Sequence, residues 1–193
     1  MQMKMYWRIV DVVNDVVNQL LKALSTGKTE PDIIKKFVDN LKQRPYSNGV
    51  IVTGNKMLRV RSAVIHQRPY ALFNGQRACD RPPCNVSRIE IGDILFRVKI
   101  GRGNNLIVDR VNIAQAKLSK SFRWRIPGHQ HEFLSNIEKY PFCFAKKYSK
   151  DLVWMLKPTS KWLFHYLLML KSSNVFPQLL VLSVSPKGVR NYH

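Results

Sequence analysis

The sequence predicts an α/β fold, with α+β as the alternative, in which a mixed central sheet is flanked by helices. Three observations predict it. Two N-terminal stretches carry apolar side chains at helical spacing, the period changes to strand-like alternation from residue 49, and later segments mix both patterns. At 193 residues and 45% hydrophobic side chains, the chain suffices for one full-sized domain with a packed core. Within that single domain, 1–193, the pattern separates a helical N-terminal region over 1–45, a core over 46–150, and C-terminal elements over 151–193 that complete the sheet.

Val13, Val16, Val17, Leu20, Leu21 and Leu24 recur at helical spacing, which predicts an amphipathic helix over 6–24. Ser25-Thr26-Gly27-Lys28 stops it. Thr29 or Glu30 before Pro31 starts a second helix, with Ile33, Ile34, Phe37, Val38 and Leu41 as its buried stripe. Arg44-Pro45 ends that helix. Val50–Val52 and Met57–Ile65 then form a hairpin around Thr53-Gly54-Asn55-Lys56, and Arg59 and Arg61 alternate with apolar residues as on a strand with one solvated face. Residues 74–87 read as a loop. Strands follow over Ile89–Ile100 and Leu106–Leu118, joined by the glycine- and asparagine-rich turn 101–105. A helix is expected over His129–Tyr140 with Phe133, Leu134 and Ile137 inward. Strands are expected at 142–144 and 152–156, a helix over Trp162–Leu170, a last strand over Leu179–Val184, and a loose basic tail from Pro186.

Charge is the second strong signal. The chain carries 32 Lys and Arg against 12 Asp and Glu, net +20, which draws polyanions by steering and counterion release. The excess is concentrated. Residues 1–40 hold six basic and five acidic side chains, whereas 41–128 hold 17 basic and only Asp80, Glu90, Asp93 and Asp109. Two of those four acids lie in Glu90-Ile91-Gly92-Asp93, which reads either as a cation site or as a local salt bridge to Arg88 or Arg97. Three cysteines make no disulfide framework; Cys79 and Cys84 lack a second pair at zinc-finger spacing, and Cys143 reads as core. The N-terminus lacks the run and cleavage site of a signal peptide, and Trp162–Leu170 is too short to span a bilayer. The expectation is a soluble cytoplasmic protein without a membrane partner.

Taking 101–105 as the centre of an antiparallel hairpin sets residue 93 opposite 113 and residue 115 opposite 91. Asp93, Gln115 and Lys117 then share a face, with Asp93 and Gln115 as diagonal neighbours roughly 7–8 Å apart. An oxygen donor set of Asp93, the Gln115 amide and a carbonyl near Ala116 suits a hard cation such as Mg²⁺ or Mn²⁺. Such an ion polarises a phosphodiester and acidifies water, and Lys117 would stabilise charge in the transition state. Glu90 joins as a metal ligand only if a bulge at Gly92 turns it inward. An Asp after Gly also caps turns, so a purely local role for Asp93 stays open.

Asp93 followed by Gln115-Ala116-Lys117 resembles the PD-(D/E)XK nuclease superfamily in its Gln-x-Lys variant. The surroundings, Glu-Ile-Gly-Asp-Ile-Leu-Phe, Gln130, and Tyr140-Pro141-Phe142, are similar to uncharacterised bacterial proteins with a Glu-Leu-Gly-Asp…Gln-Ala-Lys pattern. The resemblance covers roughly residues 30–145. It implies a restriction-endonuclease-like core, catalytic and metal-binding roles for Asp93, Gln115 and Lys117, and DNA as substrate. Many members also carry an acid on the helix before the sheet, for which Glu30 and Asp32 are available. Gln in place of the usual second acid removes one negative ligand.

Elsewhere, Lys120, Arg123 and Arg125 interleave with Phe122 and Trp124, which suits either a nucleic-acid-contacting edge or a strand edge protected by charge. His129 and His131 point to different sides of a helix, and His66 reads as a polar residue near a turn. The leading expectation is a Mg²⁺-dependent deoxyribonuclease. The alternatives are a nucleic-acid-binding protein of the same fold without hydrolysis, or a basic module for an acidic protein.

Overall fold

The computed structural model describes residues 2–65, 70–73, 87–103, 105–126, 128–136, 142–145, 152–156, 164–172, 178–185 and 188–191. Helix α1 (Gln2–Thr26) buries Leu20, Ala23 and Leu24 and rests Ile9, Val12 and Val16 on the core. It stops where the Gly27 N–H donates to the Ala23 carbonyl at 2.7 Å. A Cβ at Gly27 would lie 2.3 Å from Ile33 Cγ1, so only glycine lets the next helix pack this close. Helix α2 (Glu30–Lys42) starts as expected. Thr29 caps it in an extended conformation, its hydroxyl accepting from the Asp32 N–H at 3.4 Å, and Pro31 occupies the first turn. All five residues of the expected stripe are buried. A short helix α3 (Pro45–Asn48), not anticipated, buries Tyr46.

Asp15 on α1 ties these helices together by accepting both forks of Arg44, at 2.7 and 2.8 Å. Burial pushes the Asp15 carboxyl up, but hydrogen bonds from Arg44 and Gln19 outweigh it and hold the group below its usual value. The pair's contribution is therefore complete above the unfolded carboxylate pKa of about 4 and is lost as pH falls through the lower folded value. Arg44→Ala should accordingly show a lower urea midpoint than wild type at pH 6. That gap should close below about pH 4.

Eleven strands follow among the described residues: β1 (Val50–Thr53), β2 (Lys56–Val64), β3 (Tyr70–Phe73), β4 (Ser87–Glu90), β5 (Ile94–Arg102), β6 (Asn105–Ser119), β7 (Phe142–Ala145), β8 (Leu152–Leu156), β9 (Phe164–Leu170), β10 (Gln178–Ser185) and β11 (Gly188–Asn191). They form a mixed seven-stranded sheet, β1-β2-β5-β6-β9-β10-β11, and a four-stranded sheet, β4-β3-β7-β8. In the large sheet β6 and β9 are parallel and every other neighbouring pair is antiparallel. Helix α4 (Gly128–Asn136) lies on the crossover between β6 and β9. One core packs α1 and α2 against Leu58, Val60, Ile94, Ala114, Ala116, Leu167 and Met169. The alternate residues Ile113, Tyr166 and Leu168 form a second core with Ile89, Ile91 and the α4 residues Phe133 and Leu134. The α/β expectation with helices flanking a mixed sheet therefore holds. Among the described residues, no helix is long and apolar enough to cross a membrane.

Four expectations need correction. Within the helix expected over Trp162–Leu170, Phe164–Leu170 form strand β9, because they pair with β6 on one side and β10 on the other. Tyr166–Leu170 are all buried, and a strand covered on both faces shows no alternation to distinguish it from an apolar helix. The tail is not loose throughout, since β11 pairs with β10 from Ser185↔Gly188 to Leu182↔Asn191. The expected strand 89–100 is divided at Ile91–Asp93 between the two sheets. Residues 120–126 leave the sheet after β6 instead of continuing as an edge strand. Helix α4 ends, within the described residues, at Asn136; Ile137, His66, Cys79 and Cys84 lie outside them.

A candidate phosphodiester site at a strand fork

Strands β5 and β6 pair from Arg102↔Asn105 to Ile94↔Ala114, with an irregularity between Ile100 and Gly101 that leaves Ile107 unpaired. The hairpin tip falls between Arg102 and Asn105, and Gly103 takes a positive φ of 55°. These two features shift the register by two residues from the expected one. Continuing from Ile94↔Ala114, Asp93 comes opposite Gln115 instead of Ile113. Because the shift is even, the shared face of Asp93, Gln115 and Lys117 survives it.

Beyond Ile94 the chain of β5 leaves β6. The Asp93 N–H still donates to the Ala114 carbonyl at 2.8 Å, and its own carbonyl accepts from Ile65 at 2.9 Å. Gly92 makes the departure possible, since a Cβ there would meet Ile113 Cγ2 at 2.5 Å and the Ala114 carbonyl at 3.0 Å. The next β6 amides on that side have lost their strand partner and need another acceptor. Two carboxylates supply it. Ala116 N–H donates to Asp93 Oδ2 at 2.7 Å, and Leu118 N–H donates to Glu30 Oε2, from the first turn of α2, at 2.7 Å.

Side chains extend the network on both sides. Gln115 Nε2 donates to Asp93 Oδ2 at 2.6 Å, and Gln130 Nε2 on α4 donates to Gln115 Oε1 at 2.7 Å. Lys117 Nζ lies 4.0 Å from Glu30 Oε1. The inner network is sealed, with Asp93 2%, Gln115 1% and Gln130 5% exposed. The side chains of Lys117 and Glu30, 19% and 25% exposed, form its rim. Among the described residues, Gln130 Oε1 and the Tyr166 hydroxyl are buried without a hydrogen-bond partner, and Tyr166 stands beside Gln115 in the β6–β9 register. Burial raises the Tyr166 phenol above its usual range, so it stays neutral.

Of the residues singled out from sequence, Asp93, Gln115 and Lys117 are brought together. Glu30, named only as an available acid, joins them, whereas Asp32 stays on the helix surface with Lys36 at 3.1 Å. Glu90 sits on β4, half-buried, in the smaller sheet opposite Tyr70. Arg97, a candidate partner for the Glu90–Asp93 acids, is instead engaged by Asp109 at 2.6 Å. Lys120, Arg123 and Arg125 are exposed, but Trp124 turns inward and donates its indole N–H to the Met169 carbonyl at 3.0 Å. Phe122 is the aromatic that faces outward. Tyr166 escaped sequence reasoning because its segment looked helical.

Among the described residues, no three His, Cys, Asp or Glu side chains cluster with metal-holding geometry. The donors at the fork are nevertheless all oxygen: the Asp93 and Glu30 carboxylates and, if the Gln115 amide turns over, its carbonyl. That set suits a hard divalent cation. Turning the Gln115 amide would set its nitrogen against Gln130 Nε2, so the Gln130 amide must turn with it to offer Oε1 as the acceptor. Comparison with protein-family models, curated proteins and solved structures returned no match.

Proposed function

We propose that this chain is a metal-dependent nuclease-like protein of the PD-(D/E)XK type that hydrolyses DNA phosphodiester bonds. The observation that carries the reading is the convergence of Asp93, Gln115, Lys117 and Glu30 at the point where β5 leaves β6. The order α2-β2-β5-β6-α4-β9, read past the intervening α3, β1, β3, β4, β7 and β8 and with β9 parallel to β6, supports that reading. Asp93 and Glu30, with the Gln115 carbonyl, would hold a Mg²⁺ or Mn²⁺ ion, which when bound supplies Lewis-acid polarisation and a more acidic water.

The chain's own residues do the rest. Without a cation, Gln130 fixes the Gln115 amide and Gln115 with the Ala116 N–H fixes Asp93; when Gln115 turns its carbonyl to the ion, the Ala116 N–H still holds the inner carboxylate in place. Glu30 holds Lys117 at the rim. The ammonium there balances negative charge growing on the phosphate as water oxygen bonds to phosphorus and the bond to the leaving oxygen breaks. One carboxylate fewer than the usual acid pair weakens attraction for the cation.

One observation favours a second reading, a nucleic-acid-binding protein of the same fold without hydrolysis. Both carboxylates already cap backbone amides, a role that needs no cation. Incubation of the wild type with linear, nicked and single-stranded DNA in Mg²⁺, Mn²⁺ or EDTA separates the two. Metal-dependent strand cleavage supports the nuclease. Salt-sensitive binding with intact DNA in every condition supports the second reading, and no salt-sensitive binding removes both.

A further inference from the structure

Strands β2 and β5 carry a second feature on the same sheet face as Asp93. Their register sets Arg59 directly opposite Lys99 and Arg61 directly opposite Arg97. Like charges opposed across antiparallel strands repel, and sheets ordinarily avoid them. Here two such pairs sit in consecutive rows and line a shallow concavity of about 70 Å³. Among the described residues, the carboxylate that reaches them is Asp109, which accepts both forks of Arg97 at 2.8 and 2.6 Å and lies 3.6 Å from Lys99. Four cations against one carboxylate leave three positive charges on a small, half-exposed grid. Arg59 is oriented by donating Nε to the Asn48 carbonyl at 2.9 Å, which leaves its terminal nitrogens for another acceptor.

We infer that Arg59, Arg61, Arg97 and Lys99 form an anchoring subsite for consecutive backbone phosphates of a nucleic acid, remote from the strand fork. Cations two residues apart on one strand repeat at roughly 6.7 Å, and neighbouring strands repeat at roughly 4.8 Å, so the grid presents regularly spaced positive charge. Asp109 takes the Nε–Nη2 edge of Arg97 and fixes the guanidinium, which leaves its outer Nη1–Nη2 edge to meet a phosphate. Along β6, Asp109 beside the grid and Lys117 at the fork are eight residues apart, or about 27 Å. A duplex advancing 3.4 Å per base pair covers that span in about eight base pairs. The grid would hold the polymer while the fork meets a phosphate most of a helical turn away. The second half of this statement rests on the nuclease reading. The first half does not.

The test is Arg59→Gln/Arg61→Gln, which keeps both partners of Asp109, beside a charge-matched control on the outer side of α2, Lys35→Gln/Lys42→Gln. Affinity for 20-base-pair DNA and RNA duplexes is measured across a salt series without divalent metal, and against poly-glutamate as a protein-like polyanion. The slope of log affinity against log salt should fall by about 1.5–2 for the β2 variant and by well under 1 for the control. DNA and RNA arms identify which nucleic acid gains most. Thermal midpoints should stay level or rise in the β2 variant, because repulsion is relieved. Equal slopes for both variants, a lowered thermal midpoint with unchanged slope, or poly-glutamate bound as tightly as duplex would each overturn the anchoring role. A reduced slope in the β2 variant, alongside a wild type that never cleaves DNA, would keep the subsite and remove the nuclease. In a cleaving protein, six-base-pair duplexes should be insensitive to the β2 substitutions and 20-base-pair duplexes sensitive.

Discussion

Asp93→Ala should destabilise the fold by about 2–4 kcal/mol, a loss comparable to removing a large core side chain. The carboxylate accepts the Ala116 N–H and the Gln115 amide through one oxygen, in surroundings that are 2% exposed or less. Alanine leaves two donors without an acceptor, and water cannot reach them without opening the β5–β6 fork. An unmet buried donor costs about 1–3 kcal/mol, and a bond to a charged acceptor lies at the upper end. Asp93→Asn keeps the shape but must turn either an amide or a carbonyl toward both donors, so its cost should be roughly half as large. Urea denaturation of the three proteins at pH 7 measures both values. A loss under about 0.5 kcal/mol for alanine would mean that these hydrogen bonds are not made in solution. Cleavage should vanish in both variants.

Lys117→Met should behave in the opposite way. Metal-dependent cleavage should fall by about 10²–10³-fold, the usual cost of deleting a group that meets charge developing in a transition state. Stability should fall by no more than about 1 kcal/mol, because the pair with Glu30 is long at 4.0 Å and lies at the rim. Methionine preserves the aliphatic stem, so packing beside Leu168 in the β6–β9 register is kept. DNA affinity without metal should change by less than about threefold, one phosphate contact among several. Single-turnover cleavage, urea melts and salt-dependent binding on the same preparation separate these effects. Wild-type cleavage rates in the variant would remove Lys117, and with it this reading of the fork.

Much of the frame was legible because it is local. Thr29, Pro31 and the stripe from Ile33 to Leu41 define α2 within a dozen residues, and the β1–β2 hairpin needed only its turn. The shared face of Asp93, Gln115 and Lys117 was legible for a subtler reason. Alternation depends on whether the register is odd or even, and the unpaired Ile107 together with the shorter tip displaced it by two. What stayed hidden needed tertiary information. Glu30 meets Leu118 across 88 positions of sequence, and nothing near either residue announces the contact. The division at Ile91–Asp93 depends on how closely Gly92 passes over Ile113. The β9 segment, covered on both faces, has no period to read. The Arg59 and Arg61 alternation was visible, but its like-charged opposite row on β5 required the register of the whole sheet.

The fork has a consequence for how the molecule would respond to being loaded. Two carboxylates stand in for a missing strand, so Asp93 and Glu30 are removable rungs of a ladder as well as the proposed ion ligands. The amides they serve are two residues apart, roughly 6.8 Å along β6, too far for both capping oxygens to touch one small cation at about 2.1 Å. A cation must therefore use the outer oxygens or pull a carboxylate off its amide. In the second case, filling the site and fraying β6 at Ala116 or Leu118 are a single equilibrium, and the backbone itself keeps the record of occupancy.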